Sequence, residues 1–179
     1  MPCGEQTEQL ARGFAVLARC WRQPDEALVN AINDGELAGV APDLEVSLPA
    51  LRAEHSRLFV GPEGPPCPPY ESVYRDGEGG EPGKVLGPST SAVVKWYRTD
   101  DLGLDPDWPD LPDHVATELE FAAHLLATGH TEALEQFLDE HPRQWFGEFL
   151  DGVCAETREP FYEALAEATD AAIRDEIAP

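Results

Sequence analysis

Three pairs of carboxylate and imidazole side chains carry most of the chemistry this chain could do. Asp113 and His114 are adjacent, and His114/Glu118 and Glu120/His124 stand at i, i+4. On a helix that spacing puts each pair on one face. Such pairs can shuttle protons or ligate a metal. An all-α metal-dependent hydrolase or oxidase built on His114, Glu118, Glu120 and His124 is therefore one reading. Against it, a di-metal carboxylate bundle uses Glu-x-x-His from two helices, a motif this sequence lacks. Ordinary pairs on a helix surface are the competing account. Cys67 lies between prolines, with no helix N-terminus to lower its pKa, so a Cys-His dyad is a poor prospect. No glycine-rich phosphate loop joins a strand to a helix. The residues point to no catalytic group, metal or cofactor of the protein's own.

The element that positions the first pair starts within Leu111-Pro112-Asp113-His114. Pro112 suits a first helical turn, where its missing N–H has no intrahelical partner. Asp113 then meets the positive end of the helix dipole. Val115, Leu119, Ala122 and Leu126 recur at helical spacing and define a buried face running to Gly129. His114 precedes that stripe, so the spacing presents Asp113 and His114 to solvent. By the same reading, truncating His114 leaves stability nearly unchanged.

Other helices follow from the same period. Leu10, Phe14, Leu17 and Trp21 mark residues 5–22, and Pro24 opens a helix that stops near Gly35. Leu48, Leu51, His55, Leu58 and Phe59 mark a third, ending before Gly61-Pro62. Ser89 is the expected N-cap of a helix carrying Val93, Val94 and Tyr97. Thr131 caps another through Leu134, Phe137 and Leu138. Trp145, Phe149 and Val153 belong to the next, and Phe161, Leu165, Ala168 and Ala172 to the last. The fold class is all-α, a compact bundle of about eight or nine helices, with no solenoid repeat. From Val60 to Pro88 the text is rich in Pro and Gly and reads as a long ordered functional loop with a mobile tip at 76–83. A second loop, Asp100 to Leu111, carries Pro106, Pro109 and the anchor candidate Trp108. The chain reads as one domain, 1–179, with an N-terminal part to about 100, a hinge loop of about 100–112 and a C-terminal part from 113.

Composition narrows the classes further. Thirty-five acidic residues face twelve basic ones, giving a formal charge of −23, and the only lysines are Lys84 and Lys95. Apolar residues still make up 42%, enough for a core. Dispersed acid with little lysine fits a protein of concentrated salt, where self-repulsion is screened. A halophilic cytoplasm is the expected setting. No basic patch for nucleic acid is legible, and cationic peptides are the natural partners. Cys3, Cys20, Cys67 and Cys154 form no C-x-x-C and read as free thiols. No signal-peptide pattern and no membrane-length apolar run appear, so a soluble, cytoplasmic protein without stable membrane insertion is expected.

Binding chemistry is better supported than catalysis. Tyr70 and Tyr74 flank Glu71-Ser72 in a proline-stiffened segment, where aromatic rings supply contact area at low entropic cost. The same rings could simply pin the loop to the core, and Leu58 and Phe59 could be plain core residues.

Four segments in order are His55-Ser56-Arg57-Leu58-Phe59-Val60-Gly61-Pro62, Pro68-Pro69-Tyr70-Glu71-Ser72-Val73-Tyr74, the Pro112-Asp113-His114 helix, and the late Trp145-Phe146 and Pro160–Leu165 stretches. Together they resemble the TorD/DmsD/NarJ family of redox-enzyme maturation chaperones, from about residue 45 to the C-terminus. The resemblance implies a cytoplasmic chaperone that binds the twin-arginine signal peptide or N-terminal segment of a molybdopterin-dependent oxidoreductase, of the DMSO/TMAO or nitrate reductase type. It would hold that subunit back from export until cofactor insertion is complete. The implied peptide-binding positions are Leu58, Phe59, Tyr70, Glu71, Ser72, Tyr74, Gly87, Asp110, Asp113 and His114. The family loop usually starts with Glu where this chain has Asp110, and some relatives carry Trp at positions 70 and 74. Those departures bear on which peptide is bound. A monomer and a domain-swapped dimer both fit the resemblance.

Overall fold

The computed structural model describes residues 2–61, 64–79, 81–100, 102–103 and 110–174, and side chains from Glu5 onward. Trp108, Pro106 and Pro109 lie outside the described residues, as does the side chain of Cys3. Nine α-helices are described: α1 Pro2–Trp21, α2 Glu26–Asn33, α3 Leu48–His55, α4 Glu71–Arg75, α5 Pro88–Thr99, α6 Val115–Ala127, α7 Thr131–Glu140, α8 Pro142–Glu156 and α9 Pro160–Arg174. A π-helical turn, Ser56–Val60, continues α3. Among the described residues there is no strand, only one isolated antiparallel bridge between Tyr70 and His114. The fold is all-α.

Local chemistry explains most boundaries. Asp25, ahead of α2, accepts the Leu28 N–H on its carboxylate at 2.9 Å, a standard N-cap. At the other end Gly35 takes φ +75°. The Gly35 and Glu36 amides donate to Ile32 and Ala31 at 3.0 and 2.9 Å, the paired bonds of a Schellman stop. Gly129, at φ +78°, ends α6 the same way.

Two expected caps and one expected first-turn proline were misplaced. Ser89 does not cap α5; Gly87 does. Ser89 sits inside the first turn, and its N–H and hydroxyl both donate to Asp76, at 2.9 and 2.6 Å. The cap therefore comes from a side chain eleven or more positions upstream of the helix. Thr131 is the first residue of α7 rather than its cap. Pro112 lies in a turn before α6, whose N-cap is His114.

The Val60–Pro88 stretch contains α4, which no periodicity announced. In the segment expected as a mobile tip, 76–83, Gly80 lies outside the described residues, and the Gly83 N–H donates to the Val73 carbonyl of α4 at 2.8 Å.

The core is shared between both ends of the chain. α1 lies along α6 and touches α9, where the Trp21 indole donates to Thr169 at 3.0 Å. Trp21, Phe59, Phe149 and Tyr162 stack edge to face or tilted, with ring centroids 5.1–6.2 Å apart. Burial of such rings is the largest stabilising term available to a chain this acidic. Of the expected α1 stripe, only Leu10 remains exposed. No described helix is long and apolar enough to cross a membrane.

Candidate functional site

Two short segments meet to form the site. The Glu71 N–H donates to the Asp113 carbonyl and the Val115 N–H to the Pro69 carbonyl, each at 3.0 Å. This bridge clamps the start of α4 against the start of α6. The Ser72 N–H adds a bond to the Asp113 carboxylate at 3.0 Å. The Tyr97 hydroxyl of α5 donates to the Pro112 carbonyl at 2.8 Å.

Beneath the bridge is a buried acid hub. Glu71, Asp113 and Glu118 have no exposed surface. Glu71 accepts from His141 Nδ1 at 3.0 and 2.9 Å on its two oxygens, and from Arg75, one turn along α4. Arg75 also donates to the Glu140 carbonyl at 2.8 Å. Glu118 Oε2 accepts from the Trp145 indole at 3.1 Å, while Oε1 faces no donor among the described residues. Burial first, and then the Glu71 carboxylate, push Glu118 well above the usual carboxylate range. The protonated form of Glu118 is thereby favoured, and a carboxylic acid there weakens the repulsion between two buried acids.

His114 is not presented to solvent. It is 5% exposed, with Nδ1 accepting the Ala116 N–H at 3.1 Å as the N-cap of α6 and its ring 5.4 Å from that of Tyr70. Burial, reinforced by nearby His55, pushes its pKa down to about 3. The ring is neutral at ordinary pH, and with Nδ1 accepting, Nε2 carries the hydrogen. The expectation that Asp113 and His114 project from the mouth of the helix, and that His114 contributes little to stability, is corrected by this burial.

The other expected binding residues divide the same way. Leu58, Phe59, Glu71 and Ser72 are buried. Leu58 and Phe59 are core residues, brought inward together by the π turn. Tyr70, Tyr74 and Asp110 are half-buried and reach the surface. Tyr74 rests on Trp145 and Phe149, at 5.4 and 6.1 Å. Burial and then Asp110 raise the Tyr70 phenol to about 12, and burial raises Asp110 in turn. Gly87 has a structural reason: a Cβ there would stand 2.2 Å from the Asp76 carboxylate that holds Ser89.

Sequence reasoning passed over several participants. His55, a stripe residue of α3, interacts electrostatically with both Asp110 and His114, and Arg22 does the same. Arg75, His141 and Trp145 complete the hub. The pairs read as surface decoration on α6 are corrected as well. Glu118 is fully buried with Trp145, Glu120 pairs outward with Arg22, and His124 pairs with Asp100 at 2.7 Å. The four residues of the metal-enzyme reading thus engage different partners, and among the described residues no three His, Cys, Asp or Glu could hold a metal. Cys20, Cys67 and Cys154 are free thiols. Burial raises Cys67 to about 11, which disfavours a thiolate.

Comparison with known proteins gives this geometry a context. Residues 20–151 match the nitrate reductase delta subunit family. The match begins earlier than residue 45, stops before the Pro160–Leu165 stretch, and spans all ten expected binding positions. The Tat proofreading chaperone DmsD of Salmonella paratyphi A is 34% identical over 111 residues, 62% of this chain and 52% of that protein. The chaperone protein TorD of Shewanella loihica is 28% identical over 126 residues, 70% of this chain and 60% of that protein. The chain spans about half the length of the first of these curated relatives. A crystal structure from Archaeoglobus fulgidus, of a protein assigned to redox enzyme maturation, superposes with a TM-score of 0.66 at 28% identity, covering 94% of both chains.

Proposed function

The chain belongs to the nitrate reductase delta subunit family, and we propose that it is a cytoplasmic, system-specific chaperone for a molybdopterin-dependent oxidoreductase. In this reading one domain binds the twin-arginine signal peptide or N-terminal segment of the catalytic subunit. It keeps that subunit from export while its cofactor is inserted. The observation that carries the reading is the family match over 20–151, which contains the bridge and its hub.

The split between buried and accessible residues assigns separate roles. The hub and His114 fix the distance between the 70–74 segment and the 110–114 turn. Tyr70 with its neighbour Asp110, and Tyr74 on Trp145, are the half-buried residues a peptide can reach, and Val60, 65% exposed at the end of the π turn, offers an apolar neighbour in sequence to Phe59. Apolar residues of the peptide would lie against the tyrosine rings. Its arginines would meet Asp110, a charge-assisted contact that gives orientation.

Isothermal titration with a synthetic peptide of paired arginines followed by an apolar stretch tests this. Tyr74→Ala is expected to weaken binding by about 2 kcal/mol, about thirtyfold in Kd, and Asp110→Asn by less. Melting curves recorded beside the titrations separate lost binding from lost packing on Trp145. Clear binding by the parent with unchanged affinity in Tyr70→Ala, Tyr74→Ala and Asp110→Asn would remove this face from the proposal.

A salt-rich setting is part of the same proposal, because a charge of −23 repels itself least when screened. The melting temperature is expected to rise steadily from dilute buffer to molar KCl when followed by circular dichroism. A flat or falling trend rules that setting out.

A further inference from the structure

One face of the molecule departs from the acidic character of the rest. Acids make up 35 of 179 residues, yet none occurs across 82–99, which holds Lys84, Lys95 and Arg98, including both lysines of the chain. In the structure this stretch is α5 and the turn before it. Ser89, Thr90, Val93 and Tyr97 face inward. Ser91, Lys95, Arg98 and Thr99 are exposed along the opposite side, with Ala92 half-buried beside them, a spacing that makes one continuous solvent stripe. None of the three cations forms an ion pair among the described residues, although most arginines elsewhere hold a carboxylate.

The turn at the head of the stripe adds apolar surface. Val85 is 47% and Leu86 66% exposed. Leu86 holds φ +66°, a left-handed conformation that disfavours a branched, bulky side chain. The backbone is pinned on both sides, by Gly83 on Val73 and by Asp76 on Ser89. A strained leucine held out in water gains nothing within this chain. Among the described residues, carboxylates border the stripe: Asp100 follows α5, and Glu140 accepts from Trp96 at 3.0 Å.

The geometry points to a docking surface on Leu86, Lys95 and Arg98 for an acidic protein segment with apolar residues at helical spacing. Charge complementarity selects this occupant. An arginine-bearing peptide would be repelled here and belongs at Asp110, so the two faces take ligands of opposite sign. Three cations are too few for a duplex phosphate backbone, whose recognition rests on many Lys and Arg contacts. The inference does not depend on the peptide site proposed above.

The probe is a labelled amphipathic helical peptide with Leu on one face and Glu on the other, followed by fluorescence anisotropy. Its Lys-for-Glu counterpart is the control. The Glu peptide is expected to bind, with the double variant Lys95→Glu/Arg98→Glu weakening it about tenfold or more. Leu86→Gly is expected to weaken binding while raising the melting temperature, since glycine accepts positive φ without strain. All three positions are exposed, so melting curves should show the variants folded. Equal binding of the Lys peptide, or unchanged affinity in the charge-reversed variant, overturns the inference. Displacement of the peptide by an oligonucleotide makes the stripe a phosphate site, and a dimer lost in the variants makes the occupant a second copy. Either result also overturns it.

Discussion

Glu71→Ala is expected to destabilise the protein by about 3–5 kcal/mol, the usual cost of removing one partner from a buried charged cluster. Buried His141 would lose its acceptor, and Arg75, which reaches solvent, would lose the same partner. Glu118→Gln, by contrast, is expected to cost less than about 1 kcal/mol. Burial favours the protonated form of Glu118, and an amide, like the acid, can accept from Trp145 and donate a hydrogen bond. Urea midpoints for the two variants read the difference directly. Equal losses would mean that Glu118 is ionised and that the hub is held by charge rather than by a protonated acid.

The second large effect is loss of stability in weak acid through His114. Its folded pKa of about 3 lies below its ordinary 6.5, so its contribution is fully present above pH 6.5. That contribution is lost as pH falls toward 3, because the unfolded chain takes up a proton the folded chain refuses. The shift corresponds to about 3–5 kcal/mol over the whole window. Glu118 has the opposite sign. Its folded pKa is raised above 4.5, so its contribution is greatest below pH 4.5 and is lost as pH rises. Between pH 4.5 and 6.5 the two slopes oppose each other. His114→Asn should keep a side-chain oxygen for the Ala116 N–H and flatten the acid limb, whereas Glu118→Gln should steepen it. Urea midpoints at several pH values for the parent and both variants test the pair. A parent-like acid limb in His114→Asn would show that other groups set the slope.

Helices with a continuous apolar stripe were legible from sequence, and so were their glycine stops. Gly35 could be read as a helix end because the left-handed residue and the stripe before it are both local. α4 could not be read. Its five residues are too few to nucleate a helix alone, and they are held by His141, Asp113 and Gly83, all distant in sequence. Asp113 and His114 were misjudged for a related reason. Helical spacing sorts residues by the face of their own helix, but these two are covered by Pro69 and Tyr70 of another segment. Glu118 was assigned to the surface because an acid is normally charged, and a protonated acid beside a second carboxylate leaves no mark in spacing. The resemblance drew attention to these segments, and the structure divides them into fully buried residues and residues that reach the surface.

The antiparallel bridge also bears on how this fold can diversify. It fastens Pro69 and Glu71 to Val115 and Asp113 by main-chain bonds that use no particular side chain, so both rims of the site are held whatever the sequence between them. Closing a longer segment costs only about 0.6 kcal/mol per doubling of its length. The stretch after α5 can therefore lengthen or change composition with little effect on the clamp, and a duplicated copy of the gene could acquire a new client there without first having to be refolded around it.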